Sequence, residues 1–530
     1  MQTGPEAPSA PPPEHMAAAP RPARDPRAGL TGGLRRLFTG RLTLEAIWLI
    51  LPLAMAFIFV TNTQVHPADF WWHVRTGQII VETGQIPTTD LFTFTRAGQP
   101  WTNQGWLMQV FLYLVFRAGG LPLAIFVHAL TIAAGYLLIE RAGLCVAGAR
   151  PRAAALAAVG AMAIGVVNWG TRPQSASYLC FGALIYIITR HRARGGQVIW
   201  ALPALFAAWI NLHGGFIFGL GLLAIACLTR VAEEWAATRR IGRETGELLA
   251  ASAATLLALG LNPGGPAGAA RYVIGFLASN TTLNKNIEFQ ALSIREADGA
   301  IFFAVMLVFL LLLWRRRAAL SASQTIIMVV FGLASLYARR IAPWFGMAAA
   351  PAFAAALADQ PASPARPLRP QKTRLNALVF GLIALLVVSR IPWLRPYLPA
   401  TLQKPYEVTE YTPIRAVEVL CRLGTTADLR PFANIYYASY LAWACPTAPV
   451  FMDTRFELYP TAMWQDYIRI INAQFGWEER LAHYDANILF VQKESEVELI
   501  AAARASGRWK TAYEDQFAII MQRLGSPPPP

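Results

Sequence analysis

The sequence predicts an all-α polytopic membrane protein that carries a small soluble α/β domain at its C-terminal end. Of the 530 residues, 55% are hydrophobic and only 15% are charged. Apolar runs of about 16–20 residues recur, and each is long enough, or nearly so, to cross a hydrocarbon core roughly 30 Å thick. The runs lie at residues 44–63, 121–140, 152–168, 173–190, 197–211, 215–230, 246–262, 299–314, 323–338, 341–358 and 373–391. We therefore expect about eleven transmembrane helices.

The positions of the basic residues predict how these spans are oriented. Arginines cluster before the first apolar run and again after the second, fourth, sixth, eighth and tenth runs. Cytoplasmic loops are the ones enriched in Lys and Arg. We therefore expect the N-terminus inside and the C-terminus outside. This topology explains most of the net charge of +15, so the basic residues do not indicate a nucleic-acid-binding protein.

The composition divides the chain into three parts. Residues 1–34 are rich in Pro, Ala and Arg and poor in large apolar groups, which predicts a disordered cytoplasmic tail. Residues 35–391 hold the spans, and their two large outer loops are 64–120 and 263–298. In residues 392–530 strand-like runs alternate with helical stretches, which predicts a non-cytoplasmic α/β domain.

Several finer expectations follow from the same patterns. The strand-like runs of the C-terminal domain lie at 434–437, 449–453, 487–492 and 517–521. Residues 105–117 are expected to form an amphipathic helix within the first outer loop, because a span there would break the alternation of basic loops. Cys421 and Cys445 both fall on the outer side, where an oxidising compartment permits a disulfide.

The segment directly after the first span is the most informative one. In a helix, Asp69 and His73 lie four residues apart on one face with Trp72 between them, and Arg75 follows. Trp71 can then face lipid. A plain interfacial helix would explain the tryptophans as part of the aromatic belt. An interfacial helix does not require a carboxylate such as that of Asp69, so we take the segment as a candidate functional site.

Other polar groups collect on the same outer face. Ionisable groups near membrane depth are costly and are therefore functional candidates. Those of the outer loops, with one further aromatic residue, are Asp90, Trp101, Arg172, His213, Glu288, Arg339 and Arg340. His213 could equally be a helix-turn residue, and the two neighbouring arginines at 339 and 340 could contact a lipid phosphate.

The residue types on this face fit one kind of chemistry. The carboxylates could hold a hard cation or deprotonate an acceptor hydroxyl. The arginines could bind a phosphate, and the tryptophans could stack on sugar rings. Such a combination suits transfer from a lipid-phosphate donor, although composition alone would also allow a transporter.

The order of these features resembles the C-type (GT-C) membrane glycosyltransferases. The pattern D-x-x-x-H-x-R at 69–75 follows the first span and is itself followed by G-x-I-P-x-x-D at 84–90. The resemblance covers about residues 44–345 and extends to oligosaccharyltransferase catalytic subunits and to bacterial enzymes that use polyprenyl-phosphate sugars. It implies that Asp69 and Asp90 are the catalytic acids. It also implies that Glu288 binds a divalent cation such as Mg or Mn.

The sequence therefore predicts a glycosyltransferase of the bacterial inner membrane. It would move a sugar from a polyprenyl-phosphate donor to a glycan, lipid or protein acceptor on the outer, periplasmic face. Asp69 would act as general base or transition-state stabiliser. The expected substrate contacts are Trp72, His73, Arg75, Trp101, Arg172, His213, Arg339 and Arg340. The alternatives are a transporter or flippase of a lipid-linked saccharide, which should show repeats and midplane polar groups, and a non-catalytic envelope assembly protein.

Overall fold

The computed structural model describes residues 42–148, 150–278, 289–316, 320–358, 373–398, 408–424 and 428–525. The helices described up to residue 398 are α1 (Leu44–Asn62), α2 (Asp69–Thr83), α3 (Trp106–Val146), α4 (Pro151–Gly165), α5 (Gln174–Arg194), α6 (Leu202–Leu212), α7 (Phe216–Thr238), α8 (Arg243–Ala258), α9 (Gly265–Ala278), α10 (Ala297–Arg316), α11 (Ala322–Tyr337), α12 (Ala342–Ala358) and α13 (Thr373–Ser389). Short 3-10 segments extend or join several of them.

Each of the eleven predicted apolar runs falls on one of these helices. Among the described residues, seven helices are long and apolar enough to cross a membrane. Three shorter apolar helices, at Gln197–Leu212, Ala322–Tyr337 and Thr373–Ser389, coincide with further predicted runs. The chain is thus a multi-pass membrane protein, while the number of crossings and their orientation stay predictions.

Helix α3 contains a break that separates a loop helix from a span. Gly119 and Gly120 have non-helical backbone angles, and Gly120 has a φ of 61° and a ψ of −157°. Such a conformation is reached readily only without a Cβ atom. The part before the break covers the predicted amphipathic helix at 105–117, and the part after it covers the run at 121–140. The helix thus breaks between the two segments that the sequence distinguishes, and which of them crosses the membrane stays a prediction.

Close backbone contact between α3 and α5 organises the helical core. A Cβ atom at Gly135 would lie 2.8 Å from the carbonyl oxygen of Tyr178, and one at Gly182 would overlap the carbonyl of Gly135. Small residues allow such contact in membranes, where association depends on packing rather than on exclusion of water. Around this contact a large apolar cluster includes Tyr136, Phe181 and residues of α4 and α12.

The C-terminal domain is built on a four-stranded mixed sheet. Its strands are β1 (Pro431–Ala433), β2 (Ile488–Gln492), β3 (Trp509–Glu514) and β4 (Ala518–Arg523), in the spatial order β1-β2-β4-β3. β1 is parallel to β2, whereas β4 is antiparallel to both β2 and β3. The helices are α14 (Ile414–Gly424), α15 (Ile435–Ala444), α16 (Thr461–Ile471), α17 (Trp477–His483) and α18 (Val497–Ser506).

Two of the four predicted strands in this domain are confirmed, as β2 and β4. The predicted strand at 434–437 is wrong, because Asn434 accepts hydrogen bonds from the backbone N–H groups of Tyr436 and Tyr437 and so begins helix α15. The predicted strand at 449–453 is also wrong, because Val450 forms only an isolated bridge to Thr93 and the N–H of Phe451 donates a single hydrogen bond to the carbonyl of Pro431 at 3.1 Å. The permitted disulfide is formed, with the Cα atoms of Cys421 and Cys445 5.7 Å apart.

The first outer loop packs directly on the C-terminal domain. The backbone N–H of Phe94 donates to the carbonyl of Val450 at 3.1 Å, and the N–H of Val450 donates to that of Phe92 at 2.9 Å. On α2, the Trp71 ring lies 4.6 Å from the ring of Trp443. The expectation that Trp71 faces lipid is therefore wrong, because the C-terminal domain covers it and leaves it 3% exposed.

Candidate functional site

Helix α2 presents the predicted acid at its first residue. Asp69 begins the helix directly after Ala68, at the N-terminal end where backbone N–H groups favour a negative charge. About two turns later, α2 touches α3 so closely that a side chain at Gly77 would overlap the backbone carbonyl of Gln109. This contact fixes the position of the helix that carries Asp69, Trp72 and His73 relative to the membrane helices.

Arg172 pairs with Asp69 across the outer ends of two predicted spans. Its Nη1 donates to Oδ2 of Asp69 at 3.4 Å. The two side chains are 27% and 24% exposed, so the pair is accessible to a ligand. Arg172 lies in the turn before α5, and the N–H of Ser175 bonds its backbone carbonyl at 3.1 Å. The structure therefore joins two sequence-predicted site residues.

His73 is oriented by a chain of amides. Nδ2 of Asn103 donates to Oε1 of Gln109 at 2.8 Å, and Nε2 of Gln109 lies 3.3 Å from Nδ1 of His73. With Nδ1 accepting, Nε2 carries the proton of the neutral ring. Burial holds the pKa of His73 well below its ordinary value, and the positive charges of Arg172 and Arg455 lower it further. His73 is thus a neutral hydrogen-bond donor at neutral pH.

His213 is held in the same tautomer. The N–H of Gly215 donates to Nδ1 of His213 at 3.0 Å, and Oγ of Ser177 lies 2.8 Å from the same atom. Nε1 of Trp209 donates to Oγ of Ser177 at 2.7 Å, so the hydroxyl proton is directed to the histidine. A Cβ atom at Gly215 would lie 2.5 Å from Oγ of Ser177, so only glycine fits at this position without displacing Ser177. The neutral His213 ring therefore also carries its proton on Nε2.

The two predicted phosphate-binding arginines are placed differently. Arg339 forms ion pairs with Glu296 and, at 3.4 Å, with Asp298. Arg340 lies over the Phe289 ring, 4.3 Å from its centroid, and its charge acts on Tyr272. Burial raises the pKa of the Tyr272 hydroxyl to about 12. A Cβ atom at Gly214, the residue after His213, would overlap the Tyr272 hydroxyl, so Arg340 is the member of the pair whose charge acts on this part of the site.

Glu457 is a site residue that sequence reasoning missed. It lies in the 3-10 segment Phe456–Leu458, and its side chain is exposed. The surrounding protein raises the pKa of Glu457, and the negative charges of Asp453 and Asp69 raise it further. The charge of Glu457 also acts on Tyr272. The spacing of Asp453, Arg455 and Glu457 within an apolar segment was the available signal.

Asp90, the second predicted catalytic acid, lies in a buried ionic cluster. Its Oδ1 accepts from Nη2 of Arg455 at 2.6 Å, and its Oδ2 accepts from the Thr93 hydroxyl at 2.6 Å. Arg455 also binds Asp453 through Nε and Nη2, at 2.6–3.0 Å. The side chains of Asp90 and Arg455 are both 0% exposed. The structure thus separates Asp90 from the open pair formed by Asp69, and its catalytic role stays a prediction.

Three aromatic rings surround the guanidinium of Arg455. Its Cζ lies 4.7 Å from the ring centroid of Trp101, 4.9 Å from that of Phe92 and 5.8 Å from that of Trp72. Nε1 of Trp72 donates to the Thr454 hydroxyl at 3.1 Å. Trp72 and Trp101 are 7% and 5% exposed. They therefore form part of the joint between loop and domain, and sugar stacking on them stays a prediction.

Two further predicted residues lie apart from this group. Nη1 of Arg75 donates to Oε1 of Gln78 on its own helix at 2.9 Å. Glu288 lies outside the described residues. Within the part of the chain that the structure describes, there is no group of three His, Cys, Asp or Glu side chains that could hold a metal ion. The described residues thus do not supply the predicted cation site.

One set of polar residues is related by contacts and by charge: Asp69 pairs with Arg172, the Tyr272 hydroxyl lies against Gly214 beside His213, and the charges of this group act on His73 or are shared with Arg340 and Glu457. We call this set the outer cluster. Its members are Asp69, His73, Arg172, His213, Tyr272, Arg340 and Glu457. It combines two carboxylates, two arginines and two histidines whose neutral rings donate through Nε2. Such a set can bind an anionic group and move a proton beside it.

Comparison with solved structures identifies the fold. Two cryo-EM structures of the arabinofuranosyltransferase AftD from Mycobacteria match with TM-scores of 0.54 and 0.53, at 14% and 13% identity. Each match covers 91% of this chain but only 42% and 40% of AftD. The chain has the fold of a GT-C enzyme. The resemblance predicted from the sequence is confirmed at the level of the fold.

Other comparisons add less. An oligosaccharyltransferase from Archaeoglobus fulgidus matches with a TM-score of 0.49 at 13% identity, over 90% of this chain and 74% of that one. No protein-family model matches the sequence, and no curated protein matches it. The chain spans about two fifths of the length of AftD, and what the two chains share is the fold of that part.

Proposed function

We propose that this protein is a membrane glycosyltransferase that takes a sugar from a polyprenyl-phosphate donor and transfers it to an acceptor hydroxyl at the outer face. The observation that carries the proposal is the open pair of Asp69 and Arg172 beside His73 and His213, at the outer end of the helical bundle. AftD, whose fold this chain shares, is named as an arabinofuranosyltransferase. The acceptor is a glycan, a lipid or a protein.

The outer cluster can bind the phosphate of such a donor. Arg172 and Arg340 supply positive charge, and His73 and His213 present Nε2–H groups. Hydrogen bonds from arginine to phosphate are stronger than those between neutral groups. During transfer the phosphate gains negative charge as its bond to the sugar breaks. Fixed donors aimed at that charge stabilise the transition state more than the ground state.

Asp69 supplies the negative charge that the sugar side of the reaction needs. The acceptor oxygen forms a bond to the anomeric carbon while the bond from that carbon to the phosphate oxygen breaks, and the electron pair leaves with the phosphate. The acceptor also loses a proton to a base. Asp69 either takes this proton or stabilises the positive charge on the sugar.

The apolar surface beside the cluster suits a donor with a lipid tail. Leu257 is 81% exposed, Leu261 71% and Ile274 64%. Ile274 is two residues from Tyr272. Leu261 precedes Asn262, whose Nδ2 donates to Asn211, two residues before His213. A lipid-borne substrate can therefore reach the cluster from the bilayer with its tail still among apolar side chains.

Transfer by the purified protein from a panel of polyprenyl-phosphate sugars tests the proposal. Asp69→Asn keeps the size of the side chain but removes its charge, and we expect the rate to fall by about 10²–10⁴-fold. Asp466→Asn is the matched control, because Asp466 pairs with Arg480 at the same side-chain exposures of 24% and 27%. Melting temperatures in detergent must agree between the two variants.

Two results would contradict this proposal. One is an Asp69→Asn protein, folded like the control, that turns over the donor at the wild-type rate. The other is a wild-type protein that binds polyprenyl-phosphate sugars and moves them across vesicle membranes without breaking the sugar–phosphate bond. The second result would instead identify a transporter of lipid-linked saccharides.

A further inference from the structure

The turn that carries His213 is contacted on both sides by α9 and the segment that leads into it. Nδ2 of Asn262, just before α9, donates to Oδ1 of Asn211 at 3.2 Å. Within α9, the Tyr272 ring stacks on the Phe216 ring with the centroids 5.9 Å apart. Asn211 precedes His213 by two residues, and Phe216 follows it by three. These two contacts hold Tyr272 in a fixed position beside His213.

Gly214 allows the Tyr272 hydroxyl to reach this turn. A Cβ atom at Gly214 would lie 1.9 Å from the hydroxyl oxygen of Tyr272 and 2.9 Å from its Cζ. The hydroxyl therefore occupies the space that a side chain at position 214 would need, and only glycine permits so close an approach. The Tyr272 hydroxyl thus lies directly against the backbone of the residue that follows His213.

The Tyr272 hydroxyl is free to donate a hydrogen bond to a ligand. Its side chain is half-buried, and none of the residues that the structure describes forms a hydrogen bond with the hydroxyl. Because burial raises the pKa of Tyr272 to about 12, the group keeps its proton at neutral pH. The neutral His213 ring beside it donates through Nε2, since the N–H of Gly215 and Oγ of Ser177 occupy Nδ1. Two uncharged donors therefore meet at one turn.

Hydrogen bonds connect this turn to the elements that carry other members of the outer cluster. Oγ of Ser177, in the first turn of α5, lies 2.8 Å from Nδ1 of His213, and Arg172 lies in the turn before α5. Nε1 of Trp106, the first residue of α3, donates at 2.8 Å to the side chain two residues before His213. The same helix carries the amide that orients His73. Direct contacts thus relate the Tyr272 hydroxyl to the elements that hold Arg172 and His73.

We propose that the Tyr272 hydroxyl donates a hydrogen bond to the phosphate of the donor, beside the Nε2–H group of His213, and that position 214 is glycine to admit it. The two uncharged donors orient the phosphate, and the arginines of the outer cluster supply its counter-charge. As the bond from the anomeric carbon to the phosphate oxygen breaks, the phosphate keeps the electron pair and gains negative charge. A hydrogen bond to it is then stronger in the transition state than in the ground state. This inference rests on the proposed transferase function.

Binding of polyprenyl phosphate, without a sugar, to the full-length protein tests the assignment. Tyr272→Phe removes the hydroxyl and keeps the ring that stacks on Phe216. We expect the Kd for polyprenyl phosphate to rise about 10–100-fold, because hydrogen bonds to charged groups are stronger than those between neutral groups. The kcat/KM for the donor should fall by at least this factor, whereas the KM for the acceptor should stay at the wild-type value.

Tyr113→Phe is the matched control, because Tyr113 is a half-buried tyrosine of α3 outside the outer cluster. It should bind polyprenyl phosphate like the wild type. Gly214→Ala provides a second measurement, since the added methyl group displaces the Tyr272 hydroxyl. It should also weaken binding, and by less in a Tyr272→Phe protein than in the wild type.

A Tyr272→Phe protein that melts like the control and binds polyprenyl phosphate as tightly as the wild type overturns the assignment. If the same variant shows a raised KM only for the donor that carries a sugar, the hydroxyl contacts the sugar, and the assignment to the phosphate is wrong. A wild-type protein that binds polyprenyl phosphate through Tyr272 but transfers no sugar supports the assignment and removes the proposed transferase function.

Discussion

Arg455 joins the first outer loop to the C-terminal domain through its buried ion pair with Asp90. Replacing it with methionine would leave the buried carboxylates of Asp90 and Asp453 without a counter-charge. Breaking a buried pair from one side typically costs about 3–5 kcal/mol. We therefore expect Arg455→Met to lower the unfolding free energy of the protein by about this amount, measured by thermal or denaturant unfolding in detergent.

The control for that change is Arg430→Met in the same domain. Arg430 pairs with Asp428 and Asp485, but its side chain is 37% exposed and both partners are far more so. Exposed pairs contribute about 0–1 kcal/mol because water screens them. Equal losses of stability in the two variants would show that Arg455 has no special part in joining loop and domain.

At the scale of single residues, the sequence predicted several candidate site residues but not the residues that they contact. Asp69, His73, Arg172 and His213 could be selected because charged or polar groups at the end of an apolar run demand a reason. The pairing of Asp90 with Arg455 could not, since 365 residues separate them. Glu457 escaped for the same reason. Glu457 interacts electrostatically with Asp69, which lies almost 400 residues earlier in the sequence, so no local pattern could reveal it.

At the scale of elements, the contact of α2 with α3 depends on one missing side chain. Gly77→Ala would press a methyl group on the backbone of Gln109, the residue that orients His73. Overpacking of this kind typically costs about 1–3 kcal/mol. We expect a lower melting temperature together with loss of transferase activity. The added methyl group would displace the whole of α2, and with it Asp69 and His73. Activity should therefore fall even at temperatures at which the protein is still folded.

Gly221→Ala in α7 is the matched control for this change. Nothing lies within 4 Å of a Cβ atom at Gly221, and alanine favours helix over glycine. That variant should be as stable as the wild type or more so. Similar behaviour of the two variants would show that the approach of α2 to α3 is not constrained as described.

Helices were predictable where hydropathy repeats over a whole element, and strands were predictable only where local pattern and tertiary context agree. β2 and β4 are central apolar strands, and both were found from their composition. The run at 434–437 has strand-forming residues, yet the side chain of Asn434 caps a helix there. The break at Gly119 and Gly120 could be placed because the charge pattern required a change of role at that point.

At the scale of the whole molecule, the outer cluster requires that the first outer loop and the C-terminal domain share one side of the membrane. Single cysteines can test this in a background with Cys145, Cys180 and Cys227 replaced by alanine. We expect an impermeant thiol reagent to label Ala97→Cys and Ser495→Cys from the same side. It should label Thr238→Cys from the opposite side.

All three positions are exposed, so failure to react would reflect the membrane rather than burial. Labelling of the positions at 97 and 495 from opposite sides would remove the shared site altogether. The arginine pattern predicts labelling from the same side. It does not predict that the first outer loop packs against the C-terminal domain. That packing depends on backbone contacts such as Phe94 with Val450, which leave no periodic trace in the sequence.

The buried contact of Asp90 with Arg455 also has a consequence for biogenesis. Chains emerge N-terminus first, so Asp90 is synthesised long before its counter-charge. Until Arg455 arrives on the same side, the loop holds an uncompensated acid and an unfilled aromatic trough formed by Phe92, Trp72 and Trp101. We expect a chain truncated before Arg455 to expose both the Asp90 carboxylate and these aromatic rings, and so to be more susceptible to proteolysis. The C-terminal domain is therefore required before the first outer loop can reach its folded state.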